Sequence, residues 1–387
     1  MANKWMRALS KIDGAVDRSY NPYDHGVRSG IPGVDWLFGN SNLLPAGLSL
    51  ITYGPEKSGK SLLCNAFIGQ VHRDTDDGIV IKFNTEQREL AQLTPHYMDI
   101  FGIDPERYVA YDVKNPEQVF DVIENQIAAL CADGAPIRLA IIDSVTGILG
   151  RRQMAAEGVM TQQRGDKAST IQEGLERIQA VIRKHKIALI MTSQLRDEQD
   201  PTEIMRGNKT RMAGAHALRH FAEYFMLVEP NKTVDGRKDM SGEELVNENF
   251  KDFKDRAEMT GHHIRVTMKD SSVGPKGRKA EFTFDYGLGI INQHEEVFTL
   301  GVRRRIVDKP TQSSYQLSNF PEEGQVLKFV GRENFLNAIK ERQDLADEIM
   351  RRVRLQDIVQ QKTGRLPVFG DTDDEEQKEV VDEESAE

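Results

Sequence analysis

Residues 48–61, LSLITYGPEKSGKS, limit what this chain can fold into more than any other stretch. Leu50, Ile51, Thr52 and Tyr53 run unbroken into Gly54, the pattern of a strand buried on both faces. The glycine opens Gly54-x-x-x-x-Gly59-Lys60-Ser61, and an apolar helical run from Leu62 to Val71 follows. Strand, glycine loop and helix in that order give the spacing its meaning as a phosphate-binding loop. Gly54 and Gly59 let the backbone across Pro55, Glu56, Lys57 and Ser58 curl so that successive N–H groups point at phosphate oxygens. The helix that begins at Leu62 adds its positive N-terminal end. Lys60 is placed to reach the β- and γ-phosphates, and Ser61 to ligate Mg2+. The competing reading is a glycine-rich turn that binds nothing; it would not require all four fixed positions with both flanks in place.

Further strands point at the same edge. Gly78–Asn84 (GIVIKFN) reads as a buried strand leading through Thr85 to Glu86. Arg138–Ser144 (RLAIIDS) is another, with Asp143 at its end, the arrangement in which a carboxylate holds Mg2+ through its water shell. Ile187–Ser193 (IALIMTS) is a further one, ending at Gln194. Helical patterns over Pro116–Ala132 and Ser169–Lys186 alternate with these strands. The expected fold is therefore α/β, a mostly parallel, twisted sheet with helices on both faces. Ligands bind at the C-terminal edge of such sheets, where Glu86 can polarise water, Asp143 can fix the metal and Gln194 can sense a γ-phosphate. Taken singly, Asp143 reads as a strand cap and Gln194 as a loop anchor; their meaning comes from the phosphate loop upstream.

At 387 residues, the chain suits one large α/β domain with additions, or two domains. No apolar run approaches the ~20 residues of a membrane span, and MANKWMRALSKIDGAV lacks the apolar core of a secretory signal. Cys64 and Cys131 lie in separate helical patterns and read as buried thiols of a reducing compartment, so the expected location is cytoplasmic. The net charge of −10 argues at first against nucleic acid. Yet the stretch from Asp371 to Glu387 sets ten acidic residues against Lys378 alone, so the other 370 residues carry only −1. The tail reads as a solvated acidic segment, for solubility or for regulation. Two long basic loops flank the strand ends. Gly150–Lys167 holds Arg151, Arg152, Arg164 and Lys167; Leu195–Ala213 holds Arg196, Arg206, Lys209 and Arg211 beside Ile204, Met205 and Met212. Such loops can grip a phosphate backbone and insert apolar side chains between bases, or can simply be mobile and solvated.

Residues 1–20 carry a short amphipathic helix pattern (Trp5, Met6, Leu9, Ile12, Val16), which docks on its own domain or on a neighbour. Tyr224–Glu229, His263–Lys269 and Glu281–Asp285 read as strands, with Pro230–Gly261 as a polar excursion between the first two. Glu333–Val359 reads as helical. His216 and His220 stand at i, i+4, but HALRH lacks the glutamate of a metalloprotease helix and is not expected to bind metal.

These residues resemble the RecA-type homologous recombinases, a family that includes phage UvsX-like and bacterial RecA-like strand-exchange ATPases. GPEKSGKS is close to that family's phosphate loop, with Glu56 in its usual place. The resemblance runs from about Ser29 to Val307 through SGIPGVDWLFG, TEQ at Glu86, HYMDIFGID, IIDSV, SQLR, GAHAL and the AEF…YGLGI stretch. It implies ATP and Mg2+ as cofactors and a DNA-dependent ATPase with Glu86 as water-activating base. It also implies a Gln194 linking γ-phosphate to the second DNA loop, a Tyr97 packing on adenine, and a Lys269 reaching the neighbouring subunit's ATP. The second interface lysine is replaced by Ser271, with Lys276 or Lys279 as substitutes. The implied activity is homologous pairing and strand exchange by a helical filament on single-stranded DNA. Single- and double-stranded DNA, further copies of the chain, and mediator and single-strand-binding proteins are the implied partners, with no membrane. Implied boundaries are an arm over 1–28, an ATPase core over 29–307 with loops near 150–167 and 195–213, a C-terminal helical region over 308–370 and the tail over 371–387. A hexameric ring helicase of the same core fold and a non-catalytic ATP-binding module are the alternative readings.

Overall fold

The computed structural model describes residues 21–39, 42–85, 93–113, 116–145, 164–198, 201–205, 210–212, 218–219, 221–235 and 259–363. Its centre is a ten-stranded sheet. The strands are β1 (Ser49–Gly54), β2 (Ile79–Asn84), β3 (Tyr108–Asp112), β4 (Ile137–Asp143), β5 (Ala188–Asp197), β6 (Thr210–Met212), β7 (Tyr224–Asp235), β8 (Met259–Ser271), β9 (Lys279–Asp285) and β10 (Gly289–Ile291). Across the sheet they lie in the order β10-β9-β8-β7-β1-β5-β4-β2-β3, with β6 paired to β5 off that path. From β7 to β3 every neighbour is parallel. β8, β9 and β10 continue as an antiparallel meander.

The parallel half reads as apolar runs because helices cover both faces, and the strand period of two sorts its residues. Leu50, Ile141 and Ile190 belong to one buried cluster with Leu63, Phe67 and Ile68 of α2, the helix Lys60–Asp74. Ile51, Ile142, Leu189 and Met191 belong to the other, with Ile178 and Ile182 of α6 (Arg164–His185). The same second layer holds a broken helix: α4 (Pro116–Asp121), a π-helical turn (Val122–Ile127) and α5 (Ala128–Ala132). Shorter helices are α1 (Pro32–Trp36), α3 (Pro95–Phe101) and α7 (Pro201–Met205).

Beyond the sheet come α8 (Gln293–Arg303), the hairpin β11 (Ser314–Ser318) and β12 (Val326–Val330), then α9 (Arg332–Glu341) and α10 (Gln343–Thr363). Rings of Phe298, Tyr315, Phe329 and Phe335 pack at centroid distances of 4.6–6.1 Å among them. Asp357 of α10, fully buried, pairs with Arg278 at 2.8 Å and with Arg304, tying this region to the β8–β9 turn. Among the described residues no helix is long and apolar enough to cross a membrane.

Four boundaries differ from the sequence expectation. β5 does not stop at Ser193; it runs on to Asp197 and pairs antiparallel with β6, so the stretch expected as a second loop begins as a hairpin. Arg164, placed with the first loop, instead opens α6. β7 and β8 extend into both ends of the Pro230–Gly261 excursion. The C-terminal region, expected to be helical, also holds the β11–β12 hairpin. β6 is mostly exposed and the β11–β12 hairpin alternates in burial, so no continuous apolar run marks them. The same is true of β3, an edge strand with Val109 and Tyr111 exposed. The N-terminal helix pattern and the acidic tail lie outside the described residues.

Candidate nucleotide and nucleic-acid site

The phosphate loop closes between β1 and α2. Gly59 has φ +97°, a left-handed conformation open to glycine, and a Cβ there would lie 2.5 Å from Ile264 Cδ1. A Cβ on Gly54 would lie 2.0 Å from the Val228 carbonyl oxygen, so β1 passes β7 too closely for any side chain. Gly59 is the N-cap of α2 and offers no side-chain cap; the first N–H groups of a helix without a cap are donors for an anion. Lys60 folds over the loop and donates from Nζ to the carbonyls of Gly54 (3.1 Å) and Pro55 (2.5 Å). Pro55, Glu56 and Lys57 are exposed, Ser58 is buried, and Leu62 packs against the core.

Asp143 ends β4 beside this loop. Its Oδ2 accepts a 2.8 Å hydrogen bond from Ser61 Oγ, and its Oδ1 a 2.6 Å bond from Thr192 Oγ1 of β5. Lys82 Nζ of β2 lies 3.8 Å from Oδ2. Ser61 can keep this bond while its oxygen lone pairs face a metal. A hydroxyl and a carboxylate are the hard oxygen donors Mg2+ takes, with phosphate and water completing its shell. Among the described residues no group of three or more His, Cys, Asp or Glu forms a ready metal cage.

One residue beyond β2, Thr85 is pinned to the residue after Asp143: its Oγ1 donates to the Ser144 carbonyl at 2.7 Å and accepts from Ser144 N–H at 3.0 Å. Glu86, the next residue, lies outside the described residues. Gln194 is half-buried and opposite Gly54 in the β1–β5 register. Two residues on, Arg196 stands directly across from Arg211 of β6. Like charges directly opposite in a ladder repel, and Glu198 relieves only one of them, at 3.9 Å from Arg211 Nε. Ile204 and Met205 are exposed, Met205 by 82%. Arg151, Arg152, Arg206 and Lys209 lie outside the described residues, and Arg164 is described only as the start of α6.

At the other flank Tyr97 of α3 stacks on Phe284 at 6.2 Å, and Phe284 meets Tyr286 edge-on at 6.0 Å. Tyr286 also shares a 2.5 Å hydrogen bond with His262. This aromatic face suits a flat heterocycle. Lys269 is exposed near the end of β8, and Ser271 accepts hydrogen bonds from the N–H groups of Val273 and Gly274. Lys276 pairs with Asp270 at 2.6 Å. Lys279 opens β9.

Sequence reading missed three site residues. Thr192 is a hydroxyl inside an apolar strand. Tyr286 stood unremarked within YGLGI. Lys82 had the clearest signal, a lysine in the middle of GIVIKFN, a strand otherwise apolar.

A sequence profile for the RecA N-terminal domain matches residues 24–291. Curated relatives named Protein RecA align over nearly the whole chain. That of Streptomyces venezuelae is 26% identical over 357 residues, covering 90% of this chain and 82% of the relative. That of Helicobacter hepaticus is 26% identical over 359 residues, covering 90% and 91%. That of a Caulobacter strain is 26% identical over 329 residues, covering 85% and 80%. With a glycine loop between β1 and α2, Asp143 at the end of β4 and Gln194 in β5 gathered on one edge of a largely parallel sheet, and this match over residues 24–291, the chain belongs to the RecA family of recombinases.

Proposed function

We propose that this protein is an ATP-dependent DNA strand-exchange enzyme that polymerises on single-stranded DNA as a helical filament and pairs it with homologous duplex. One observation carries the reading: β5 runs without a break from Gln194, beside the phosphate loop at Gly54, to the facing pair Arg196 and Arg211. Family membership supports DNA-dependent ATP hydrolysis in recombination and repair as the general role.

In this reading Lys60 leaves the Gly54 and Pro55 carbonyls for the β- and γ-phosphates, and the N–H groups of residues 56–62 hold the rest of the triphosphate. Tyr97 and Tyr286 flank the base. Mg2+, held by Ser61 and Asp143, supplies charge neutralisation on the phosphates. Glu86, directly after the anchored Thr85, accepts the proton of the attacking water. Gln194 hydrogen-bonds the γ-phosphate and, through the two residues that follow, biases the hairpin toward a conformation that grips DNA. A phosphate seated between Arg196 and Arg211 relieves their repulsion, and Met205 is exposed where a base can stack on it. Arg151, Arg152, Arg206 and Lys209 add contacts from the two loops, and Arg164 one from the start of α6. Lys269 reaches the neighbouring subunit's nucleotide.

A nearly neutral body can bind DNA in this way because weak contacts add along a filament. The exposed Val109 and Tyr111 on edge strand β3 support self-association, since an open edge is a template for another chain. Residues 1–28 serve as the polymerisation arm, 29–307 as the ATPase core, 308–370 as the C-terminal region and 371–387 as the acidic tail. The protein works in the cytoplasm of a bacterium or phage-infected host, with mediator and single-strand-binding proteins as further partners. Electron microscopy with single-stranded DNA and a slowly hydrolysed ATP analogue should show open helices. Closed rings would transfer the reading to a hexameric helicase, and the absence of any assembly would remove it.

A further inference from the structure

Lys82 sits in the middle of β2 with its side chain fully buried. A lysine is kept there only if its charge is compensated. Among the described residues, Asp143 offers a carboxylate at 3.8 Å from Nζ to Oδ2. The same oxygen accepts the Ser61 hydrogen bond at 2.8 Å. Asp143 is thus held from three elements: by Ser61 of α2, by Thr192 of β5 and by Lys82 of β2. The third of these brings an amine to the same oxygen that accepts from Ser61.

We propose that Lys82 competes with Mg2+ for the Oδ2 charge of Asp143, whose orientation is set by Ser61 and Thr192. This rests on the reading of Asp143 as the metal-side carboxylate. A divalent ion approaching the nucleotide-free site meets a carboxylate already neutralised by an ammonium, so the site binds little metal on its own. The negative charge that recruits the ion then comes from the nucleotide phosphates. Lys82 thereby makes the metal enter with the nucleotide, and Asp143 completes its shell without having to reorient.

The test uses the full chain and a fluorescent N-methylanthraniloyl ADP. Its binding is followed while Mg2+ is raised from a chelated baseline, and melting temperature is recorded in parallel. Lys82→Met keeps the length of the side chain and removes the charge. It should lower the Mg2+ midpoint severalfold, because the ion no longer shares the Oδ2 charge with an ammonium. Lys82→Arg, which restores a cation, should return the midpoint toward wild type. A purely structural lysine would move the melting temperature and leave the midpoint in place; an unchanged or raised midpoint in Lys82→Met overturns the proposal. Should Lys82→Met not fold, Lys82→Gln carries the same comparison. Wild type gives an independent check: electron paramagnetic resonance of Mn2+ should detect no tight binding to the nucleotide-free protein. A tightly held ion there also overturns the proposal. If wild type fails to bind the labelled ADP at all, the nucleotide reading itself fails, a result distinct from either of these.

Discussion

Along β5, Ala188 to Ser193 are buried, Gln194 and Leu195 are half-buried, and Arg196 and Asp197 are exposed. One strand therefore serves two regions built on opposite rules. At the floor, beside the glycine loop, the key polar groups are buried and partnered: Asp143 has Ser61, Thr192 and Lys82, and Thr85 is locked to Ser144. In the hairpin above it two arginines face each other, and a methionine side chain stands almost wholly in water. The floor is arranged in advance for a small, highly charged substrate, where displacement of a group by an ångström is costly. On the proposed function, the hairpin presents its charge and apolar surface to a polymer that arrives later, so burial goes with the chemistry and exposure with the grip.

The largest effect that separates the two regions is expected from Glu86→Gln. It should lower DNA-stimulated ATP turnover by about 10²–10⁴-fold, the usual contribution of a general base, while labelled-ATP binding and single-strand binding persist. Loss of binding along with turnover would place Glu86 in the grip instead. Next comes Gly54→Ala, which breaks the floor from within: its methyl would meet the Val228 carbonyl at 2.0 Å. Nucleotide binding should be lost and the urea midpoint should fall, by about 2 kcal/mol or more. Wild-type nucleotide affinity in this variant would contradict the closeness of β1 and β7.

The hairpin is addressed by the double change Arg196→Ala and Arg211→Ala. Each lost phosphate contact should flatten the slope of log affinity for single-stranded DNA against log salt by about 0.7, with nucleotide binding intact. An unaltered slope would remove the hairpin from the DNA surface. The smallest effect tests what a buried carboxylate does without a buried lysine. Asp35 is buried and accepts from Ser29 N–H and Oγ–H at 2.7 Å and from Gly30 N–H at 3.0 Å. Burial pushes its pKa up to about 7, against the pull of those donors. The folded protein then holds a proton that the unfolded chain has released well below pH 6. This contribution is complete at low pH and is lost as pH rises through about 7. Relative to Asp35→Asn, wild type should lose about 1 kcal/mol of stability between pH ~6 and ~8, read from urea midpoints. Parallel profiles would show that Asp35 stays ionised throughout.

Much of the floor could be read in the sequence because its strands are buried on both faces. Runs such as LAIID and ALIMTS announce themselves, and the phosphate loop fixes which ends matter. β3, β6 and the ends of β7 and β8 were not legible, since their pairing depends on partners far along the chain and leaves no apolar run. Gln194 was found, but as the end of a strand; that the strand continues into the hairpin follows from the pairing of Leu195 with Met212, which no local pattern encodes. Lys82 could be seen but not interpreted, because its meaning lies in the position of Asp143 more than sixty residues away along the chain.

The link between floor and hairpin is tested most directly by single-stranded DNA affinity with and without a non-hydrolysable ATP analogue, in wild type and in Gln194→Ala. Anisotropy of a labelled oligonucleotide reads both. Wild type should bind roughly 5–150-fold more tightly with the analogue, the usual range for coupling between sites, and Gln194→Ala should lose most of that difference while still binding nucleotide. Equal wild-type affinity in the two nucleotide states would contradict the account.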